Sequence, residues 1–186
     1  MQISIRNPYK FKFILGEVIK FTSKDKHKTA LQSVHFYRHK LGSYLVMEAV
    51  DGYRMIQETV EADFAFAGDE EAFNLLASDL KLVSKSLISE IGVDLETVTF
   101  TTVDNVQMTF KISKSHSLTF ESIAPKDPPG FSIHMDPKKL MSVCQAFKDE
   151  EGIRLDFHGE LGPCVVYRGS KPEKATGCAM VLPLRP

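Results

Sequence analysis

A repeated supersecondary pattern constrains the fold more than any other feature of this 186-residue chain. The clearest copy is the last. Alternating apolar residues over Phe131–Met135 predict a strand, and Asp136 followed by Pro137 is typical of a helix N-cap and first helical position. Apolar residues at helical spacing follow as far as Phe147. Three more alternating runs are predicted strands, at 153–157, 164–167 and 179–184. The order is β-α-β-β-β.

The middle copy has the same predicted order. Phe73–Leu76 is predicted as a strand and Ser78 as an N-cap. An apolar stripe from Leu80 through Val83 and Leu87 to Ile88 predicts a helix. The three strands that follow are predicted around Val98 and Phe100, over 106–112, and around Leu118 and Phe120.

The first copy is less regular, with a predicted strand over Phe11–Ile14 and a short helix over Leu15–Thr22. Its later strands are predicted at 30–37, 44–49 and 55–60. The fold class is therefore α+β, with antiparallel sheets and helices on one face of each sheet. Two domains are predicted, residues 1–125 with two units and residues 130–186 with one. Because one unit leaves edge strands without partners, units and also subunits are expected to dock side by side, as in a homo-oligomer.

Composition is that of a soluble globular protein, with 43% hydrophobic and 25% charged residues. No apolar run approaches the roughly 20 residues of a membrane span, and the N-terminus lacks the ordered regions of a signal peptide. A cytoplasmic protein without a membrane partner is expected. The three cysteines are odd in number and lack CxxC spacing, which favours reduced, buried thiols over a metal site or disulfides.

Motifs of catalysis are missing from the sequence, which contains no glycine-rich phosphate loop, HExxH or GxSxG. His35 and His39 would share a strand face as a metal pair, but no third ligand is evident. Asp51 beside Arg54 suggests either acid–base chemistry or a turn-stabilising aspartate, and the second interpretation is favoured. We expect a non-enzymatic protein without a metal or another cofactor.

Three segments resemble the bacterial sliding clamp family, the β subunit of DNA polymerase III. Residues 46–55, VMEAVDGYRM, look like the "ATDGHRL" strand-turn-strand of the middle clamp domain. Residues 179–186, AMVLPLRP, resemble the clamp ending "YVVMPMRL", and residues 135–141, MDPKKLM, resemble a helix start "FNPKYLLD" in the last domain. Residues 12–123 thus resemble a middle domain, and residues 131–186 resemble the second half of a last domain. Clamps of this family have six such units in each chain, whereas about three are predicted here. The resemblance therefore does not imply the dimeric ring of the family.

The resemblance implies an apolar groove into which DNA polymerases and other proteins with a clamp-binding motif insert a short peptide. One wall would be the hairpin: Val50, Gly52, Tyr53, Arg54 and Met55. The other would be the C-terminal strand: Met180, Val181, Leu182, Pro183, Leu184 and Arg185. Methionine and leucine adapt to irregular apolar ligands, and arginine donates to peptide carbonyls. The alternative is that Met180–Leu184 is simply a buried last strand.

The resemblance also implies contact with double-stranded DNA, since clamp helices face the duplex and touch its phosphates without reading bases. The candidate DNA-binding residues are Lys20, Lys24, Lys81, Lys85, Lys138, Lys139 and Lys148. The overall charge of −1 neither supports nor excludes this, and an ordinary solvated helix face is the alternative.

The leading hypothesis is therefore a sliding-clamp-like processivity and partner-docking factor that binds DNA non-specifically when assembled. The competing hypothesis is an adaptor or decoy that binds clamp-binding peptides without encircling DNA. A third is an unrelated α+β protein with accidental similarity.

Overall fold

The computed structural model describes residues 1–25, 27–40, 42–65, 72–114, 118–168 and 178–184. The chain divides into two compact units, Met1–Ala124 (unit 1) and Pro125–Pro186 (unit 2). The fold class predicted from the sequence is confirmed: the protein is α+β, with antiparallel sheets built from repeated units.

The described part of unit 1 contains the β-α-β-β-β pattern twice. Its first half comprises β1 (Gln2–Ile5), α1 (Pro8–Val18), β2 (Ser33–Arg38), β3 (Tyr44–Val50) and β4 (Met55–Ala65). Its second half comprises β5 (Ala72–Leu76), α2 (Ala77–Val83), β6 (Ile88–Val93), β7 (Thr97–Thr102) and β8 (Gln107–Lys111). A short helix, α3 (Phe120–Ile123), follows.

The two halves of unit 1 exchange their first strands. The strand order is β5-β2-β3-β4-β1-β6-β7-β8, and the strands pair antiparallel. Strand β1 lies between β4 of its own half and β6 of the other half. Strand β5 pairs with β2 of the first half, and its Asn74 carbonyl accepts a hydrogen bond from Ser113 N at 2.8 Å, just after β8. Each half therefore completes the sheet of the other.

The core of unit 1 lies between these strands and the two helices. Helix α1 buries Phe11, Ile14, Leu15 and Val18, and α2 buries Ala77, Leu80 and Val83. They pack on apolar positions that recur at every second residue of the strands, such as Phe36 on β2 and Phe73 on β5, whose rings stack at 4.9 Å. The alternating apolar residues of the strands and the apolar faces of α1 and α2 thus pack together in one cluster.

The sequence prediction for the first copy is wrong at its start. The predicted strand Phe11–Ile14 lies inside α1, and the first strand is Gln2–Ile5. Helix α1 begins at Pro8 because the Asn7 side chain caps it, accepting from Lys10 N at 3.0 Å. The helix ends at Val18, and the rest of the predicted helix Leu15–Thr22 is a 3₁₀ turn over Ile19–Phe21.

The middle copy departs from its prediction at both ends of the helix and at its last strand. Ser78 is not the N-cap, because α2 begins at Ala77 after Leu76. The predicted helical stripe is too long, since Ile88 starts strand β6. Phe120, predicted in a strand, is the first residue of α3, which Thr119 and Ser122 cap reciprocally.

Unit 2 contains one helix and a three-stranded sheet in its described residues. These are α4 (Pro137–Ala146), β9 (Ile153–Phe157), β10 (Cys164–Arg168) and β11 (Cys178–Val181), in the sheet order β11-β10-β9. The predicted helix start is confirmed: Pro137 is the first helical residue and the Asp136 carboxylate accepts from Lys138 N at 2.8 Å. The predicted strand Phe131–Met135 is not formed, although the His134 carbonyl accepts from Leu184 N at 2.7 Å.

A buried carboxylate fastens α3 to the outer face of the unit 1 sheet. Glu48 on β3 is almost fully buried, and its Oε1 accepts from Tyr37 Oη at 2.7 Å and Gln57 Nε2 at 2.6 Å. Its Oε2 accepts from Phe120 N, the first helical amide of α3, at 3.2 Å. Burial, together with the hydrogen bond to Glu48, raises the pKa of the Tyr37 hydroxyl well above its usual value.

Replacing this carboxylate tests its contribution. We expect Glu48→Ala to lower the free energy of unfolding by about 2–3 kcal/mol, because buried donors lose their acceptor. Urea denaturation measures the change. Glu121→Ala is the matched control: Glu121 belongs to the same helix, pairs with Lys40 on the surface at 3.2 Å, and should cost less than about 1 kcal/mol. Equal losses for the two variants would contradict the anchoring role.

Candidate functional site

The hairpin between β3 and β4 has a tight turn that the sequence fixes. Asp51 N donates to the Arg54 carbonyl at 3.2 Å, and Gly52 adopts a φ of +99°, as expected at the first central position of a type II′ turn. The Asp51 carboxylate accepts from Tyr53 N at 3.0 Å and from Arg54 N at 3.1 Å. Asp51 is thus a turn-stabilising aspartate, the interpretation favoured from the sequence.

Arg54 connects this hairpin to the end of the first helix. Its Nε donates to Asp51 Oδ2 at 2.9 Å, its Nη2 donates to the Lys20 carbonyl at 3.0 Å, and its guanidinium lies 4.5 Å from the Phe21 ring centroid. The Arg54 side chain, followed by the Tyr53 amide, lowers the pKa of the Asp51 carboxyl below its ordinary value. The sequence predicts that Arg54 rims a groove, but part of its donor capacity already holds the turn in place.

The other hairpin residues differ in how much surface they offer. Tyr53 is 94% exposed, with the Lys28 ammonium 5.7 Å from its ring centroid. Val50 and Met55, at the ends of the two strands, are partly buried. Tyr53 is therefore the residue of this wall with the largest free apolar surface, next to a cation.

The C-terminal strand of unit 2 presents a row of exposed apolar side chains. Met180, Leu182 and Leu184 are exposed, with Leu182 at 65%, whereas Val181 is buried against the sheet. Strand β11 ends at Val181, and Pro183 lies just after it. The alternative of a buried last strand therefore describes Val181 but not its three apolar neighbours. Arg185 lies outside the described residues.

The two predicted walls of the peptide groove belong to different compact units, Val50–Met55 to unit 1 and Met180–Leu184 to unit 2. Each wall is defined within its own unit. The groove formed from both remains a prediction.

Three of the candidate DNA-binding lysines lie around one depression of about 530 Å³ on unit 1. Lys20 follows α1, Lys24 lies in the next loop and Lys81 is on α2. Thr22, Ser23, Gln32 and Ser78 add polar groups to the same rim. Lys20 also pairs with Glu17 one turn earlier, whereas Lys85 lies exposed in the turn after α2. The fold therefore gathers Lys20, Lys24 and Lys81 from two halves of the repeat.

The remaining candidate lysines are on the helix of unit 2. Lys138 and Lys139 are exposed in the first turn of α4, and Lys148 is exposed just after the helix. Cations in a first helical turn interact unfavourably with the helix dipole, so these two lysines do not stabilise α4 through that dipole. A ligand with negative charge would compensate them.

The sequence prediction missed a strong charge asymmetry along the chain. Residues 1–30 contain seven Lys or Arg and two Asp or Glu, a net charge of +5. Because the whole chain has a net charge of −1, residues 31–186 have a net charge of −6. Lys10 and Lys12 on α1 and Lys28 near Tyr53 belong to this basic segment. Counting charge by segment, rather than over the whole chain, would have found it.

The described residues hold no group of three or more His, Cys, Asp or Glu side chains placed to bind a metal ion. His35 Nδ1 lies 2.8 Å from Asn74 Oδ1, in a polar row that continues across the sheet to Glu48 and Gln57. His39 packs edge-on against Tyr44. Across the described part of the chain, the helices are too short or too polar to cross a membrane.

Solved structures similar to this chain include bacterial sliding clamps. The chain superimposes on the Pseudomonas aeruginosa DNA polymerase III β subunit with a TM-score of 0.77 and 14% identity, over 98% of this chain and 51% of that one. A Helicobacter pylori β clamp bound to a DNA ligase peptide gives 0.75 and 13%, over 98% and 49%. The β chain of Streptococcus pneumoniae gives 0.71 and 14%, over 98% and 49%.

The protein therefore has the sliding-clamp fold, as the sequence resemblance predicted. It spans between about half and two thirds of the length of the clamp chains it matches. No protein-family model and no curated protein sequence matches it.

The turn at Gly52 offers a test of the hairpin wall. We expect Gly52→Ala to destabilise the protein by about 1–2 kcal/mol, because an L-residue is strained at a φ of +99°. Gly16→Ala is the control with the opposite sign: Gly16 lies within α1, nothing would contact its Cβ, and about 0.5–1 kcal/mol of stabilisation is expected. Thermal unfolding by circular dichroism measures both. Destabilisation by both substitutions would contradict the interpretation that Gly52 is required for its positive φ.

Proposed function

We propose that this protein is a divergent, non-catalytic member of the sliding clamp family that binds duplex DNA through its helix side and docks partner proteins through apolar peptides. The observation that carries the proposal is that the clamp fold occurs together with a basic depression beside α2 and the end of α1. Neither feature depends on the other, since a fold does not dictate surface charge.

The DNA-binding part of the proposal rests on charge distribution. Lys20, Lys24 and Lys81 converge on one surface, and the segment that includes α1 has a net charge of +5. Lysines on flexible stems suit phosphate neutralisation without base readout, which is what a protein that moves along DNA requires. Positive charge concentrated on this surface would attract the phosphates of duplex DNA even though the whole chain has a net charge of −1.

A lysine triple variant tests the basic face. Lys24→Ala, Lys81→Ala and Lys85→Ala together should weaken duplex binding for all sequences alike. They should also reduce the slope of log affinity against log salt by roughly one unit for each phosphate that is no longer neutralised. Fluorescence anisotropy with labelled duplex, across about 50 to 200 mM salt, measures this.

The matched control removes the same charge elsewhere on unit 1, from Lys40, Lys111 and Lys114. These residues lie after β2, at the end of β8 and in the loop that follows β8. The control should keep the salt slope of the unmodified chain. An equal fall of the slope in both triple variants would remove the basic face from the proposal.

The peptide-docking part rests on exposed apolar side chains at both positions expected from the family. Tyr53 on the hairpin and Met180, Leu182 and Leu184 at the other wall retain large solvent-exposed surfaces. Contiguous exposed apolar surface is one feature of binding sites on folded proteins, and Met180, Leu182 and Leu184 lie close together in the chain. The H. pylori clamp of the same fold binds a DNA ligase peptide, and a comparable ligand is proposed for this chain.

A charge in the proposed groove tests this site. Leu182→Glu should abolish binding of a fluorescent DNA ligase peptide in a polarisation assay, because a carboxylate facing an apolar ligand loses its hydration. Leu95→Glu is the control, since Leu95 is 84% exposed in the turn after β6 and belongs to neither predicted wall of the groove. Peptide binding that survives Leu182→Glu would rule out the C-terminal wall.

A second candidate function is an adaptor or decoy that captures clamp-binding peptides but does not bind DNA. The net charge of −6 over residues 31–186 favours it. Peptide affinity without any salt-dependent DNA affinity would select this function over the first.

A further inference from the structure

Unit 1 defines a pairing rule for its two halves. The first strand of each half is hydrogen-bonded on one edge to the end of its own half and on the other edge to the second strand of the other half. Strand β1 does so with β4 and β6. Strand β5 does so through the Asn74–Ser113 bond and through β2. No half satisfies both edges of its first strand by itself.

Unit 2 has one half of this arrangement, and the segment before its helix is hydrogen-bonded to the end of the same half. The His134 carbonyl accepts from Leu184 N at 2.7 Å, and His134 lies two residues before the N-cap Asp136. Asn74, whose carbonyl accepts from Ser113 N at 2.8 Å, lies two residues before the N-cap Leu76. Residues 131–135 of unit 2 therefore correspond to β5 of unit 1.

The other edge of this segment has no strand beside it among the described residues of unit 2. Main-chain groups of successive strand residues point to opposite edges, so pairing of residues 131–135 as a strand would direct the amides and carbonyls of Ile133 and Met135 away from the Leu184 side. Strand β9 is an edge strand, although its counterparts β2 and β6 are interior strands in unit 1. In the described residues of unit 2, the outer edge of residues 131–135 and the outer edge of β9 are therefore unpaired, whereas in unit 1 their counterparts β5 and β2 pair with each other.

The apolar face of the unit 2 sheet is covered only in part. Cys164, Val166 and Val181 are its buried apolar residues in the described part of the chain. On β9, Leu155 remains 40% exposed and Phe157 is also exposed, with the Phe131 ring 6.4 Å from the Phe157 ring. In unit 1, Phe36 on the corresponding strand β2 is buried and stacks on Phe73 of the other half.

We propose that unit 2 forms a twofold-symmetric dimer with unit 2 of a second copy of this chain. Residues 131–135 of each copy pair antiparallel with β9 of the other, with Ile133 opposite Leu155 in the core, as Phe73 is opposite Phe36 in unit 1. The result is an eight-stranded arrangement with the strand order of unit 1. A second copy fits because both complementary edges are present on one surface, so a twofold axis satisfies both at once.

This inference deepens the proposed function, which needs an assembly, but it is derived from strand pairing and not from DNA or peptide binding. Sedimentation of the full chain over a concentration series, without DNA or peptide, tests it. A dimer is expected for the unmodified chain. Leu155→Asp should raise the dimer dissociation constant about a hundredfold or more, because the carboxylate would be buried in the joint core.

Leu161→Asp is the matched control, since Leu161 is 73% exposed in the turn between β9 and β10 and lies off the apolar face. It should leave the dissociation constant unchanged. Ile133→Pro is a second variant that removes an amide donor on the open edge and keeps the His134–Leu184 bond. It should weaken the dimer without altering the far-UV circular dichroism of the monomer.

A chain that stays monomeric at about 100 µM would overturn the inference. So would an oligomer that Leu155→Asp and Leu161→Asp affect equally, since the interface would then lie elsewhere. The outcome is independent of the proposed function. A dimer without salt-dependent DNA affinity would support this interface and rule out DNA binding. A monomer that binds the ligase peptide would rule out this interface and support peptide docking.

Discussion

The exchange of first strands between the two halves of unit 1 is the interaction on which the rest of the structure depends. A strand edge carries unpaired amide and carbonyl groups, and leaving them buried without partners costs free energy. Because β1 and β5 are each paired across the halves, the apolar faces of both halves close over one core that contains α1 and α2. The hairpin of β3 and β4 and the basic depression beside α2 are held in place by that closure.

The sequence predicted elements well where a local signal and the tertiary structure agree. Asp136–Pro137 is a local sequence signal for a helix start, and in the structure Asp136 caps α4. It failed where one apolar pattern fits two structures. Phe11 to Leu15 satisfies both alternation and helical spacing, and the cap at Asn7 decides for a helix. Between α2 and β6 the chain has neither Gly nor Pro, so the stripe from Leu80 to Ile88 gives no sign of the turn.

The local geometry at the candidate site was more predictable from the sequence than the contacts between distant residues. The Asp51-Gly52 turn follows from local chemistry, because an aspartate accepts from the amides two and three residues on and glycine tolerates a positive φ. The link from Arg54 to the Lys20 carbonyl joins residues 34 positions apart, which no local pattern encodes. The convergence of Lys20 and Lys81 likewise depends on the packing of α1 against α2, and only the net charge of the first 30 residues was available from the sequence.

The position of Arg54 has a consequence for how the two proposed ligands would influence each other. One guanidinium holds the hairpin turn through Asp51 and the main chain at Lys20, whose side chain lines the basic depression. A peptide that drew Arg54 toward its own carbonyls would weaken the bond at Lys20 and alter the surface offered to phosphates. By thermodynamic reciprocity, DNA at the depression would change peptide affinity by the same factor. Because both sites would depend on the Arg54 side chain, partner release and DNA affinity would be thermodynamically coupled.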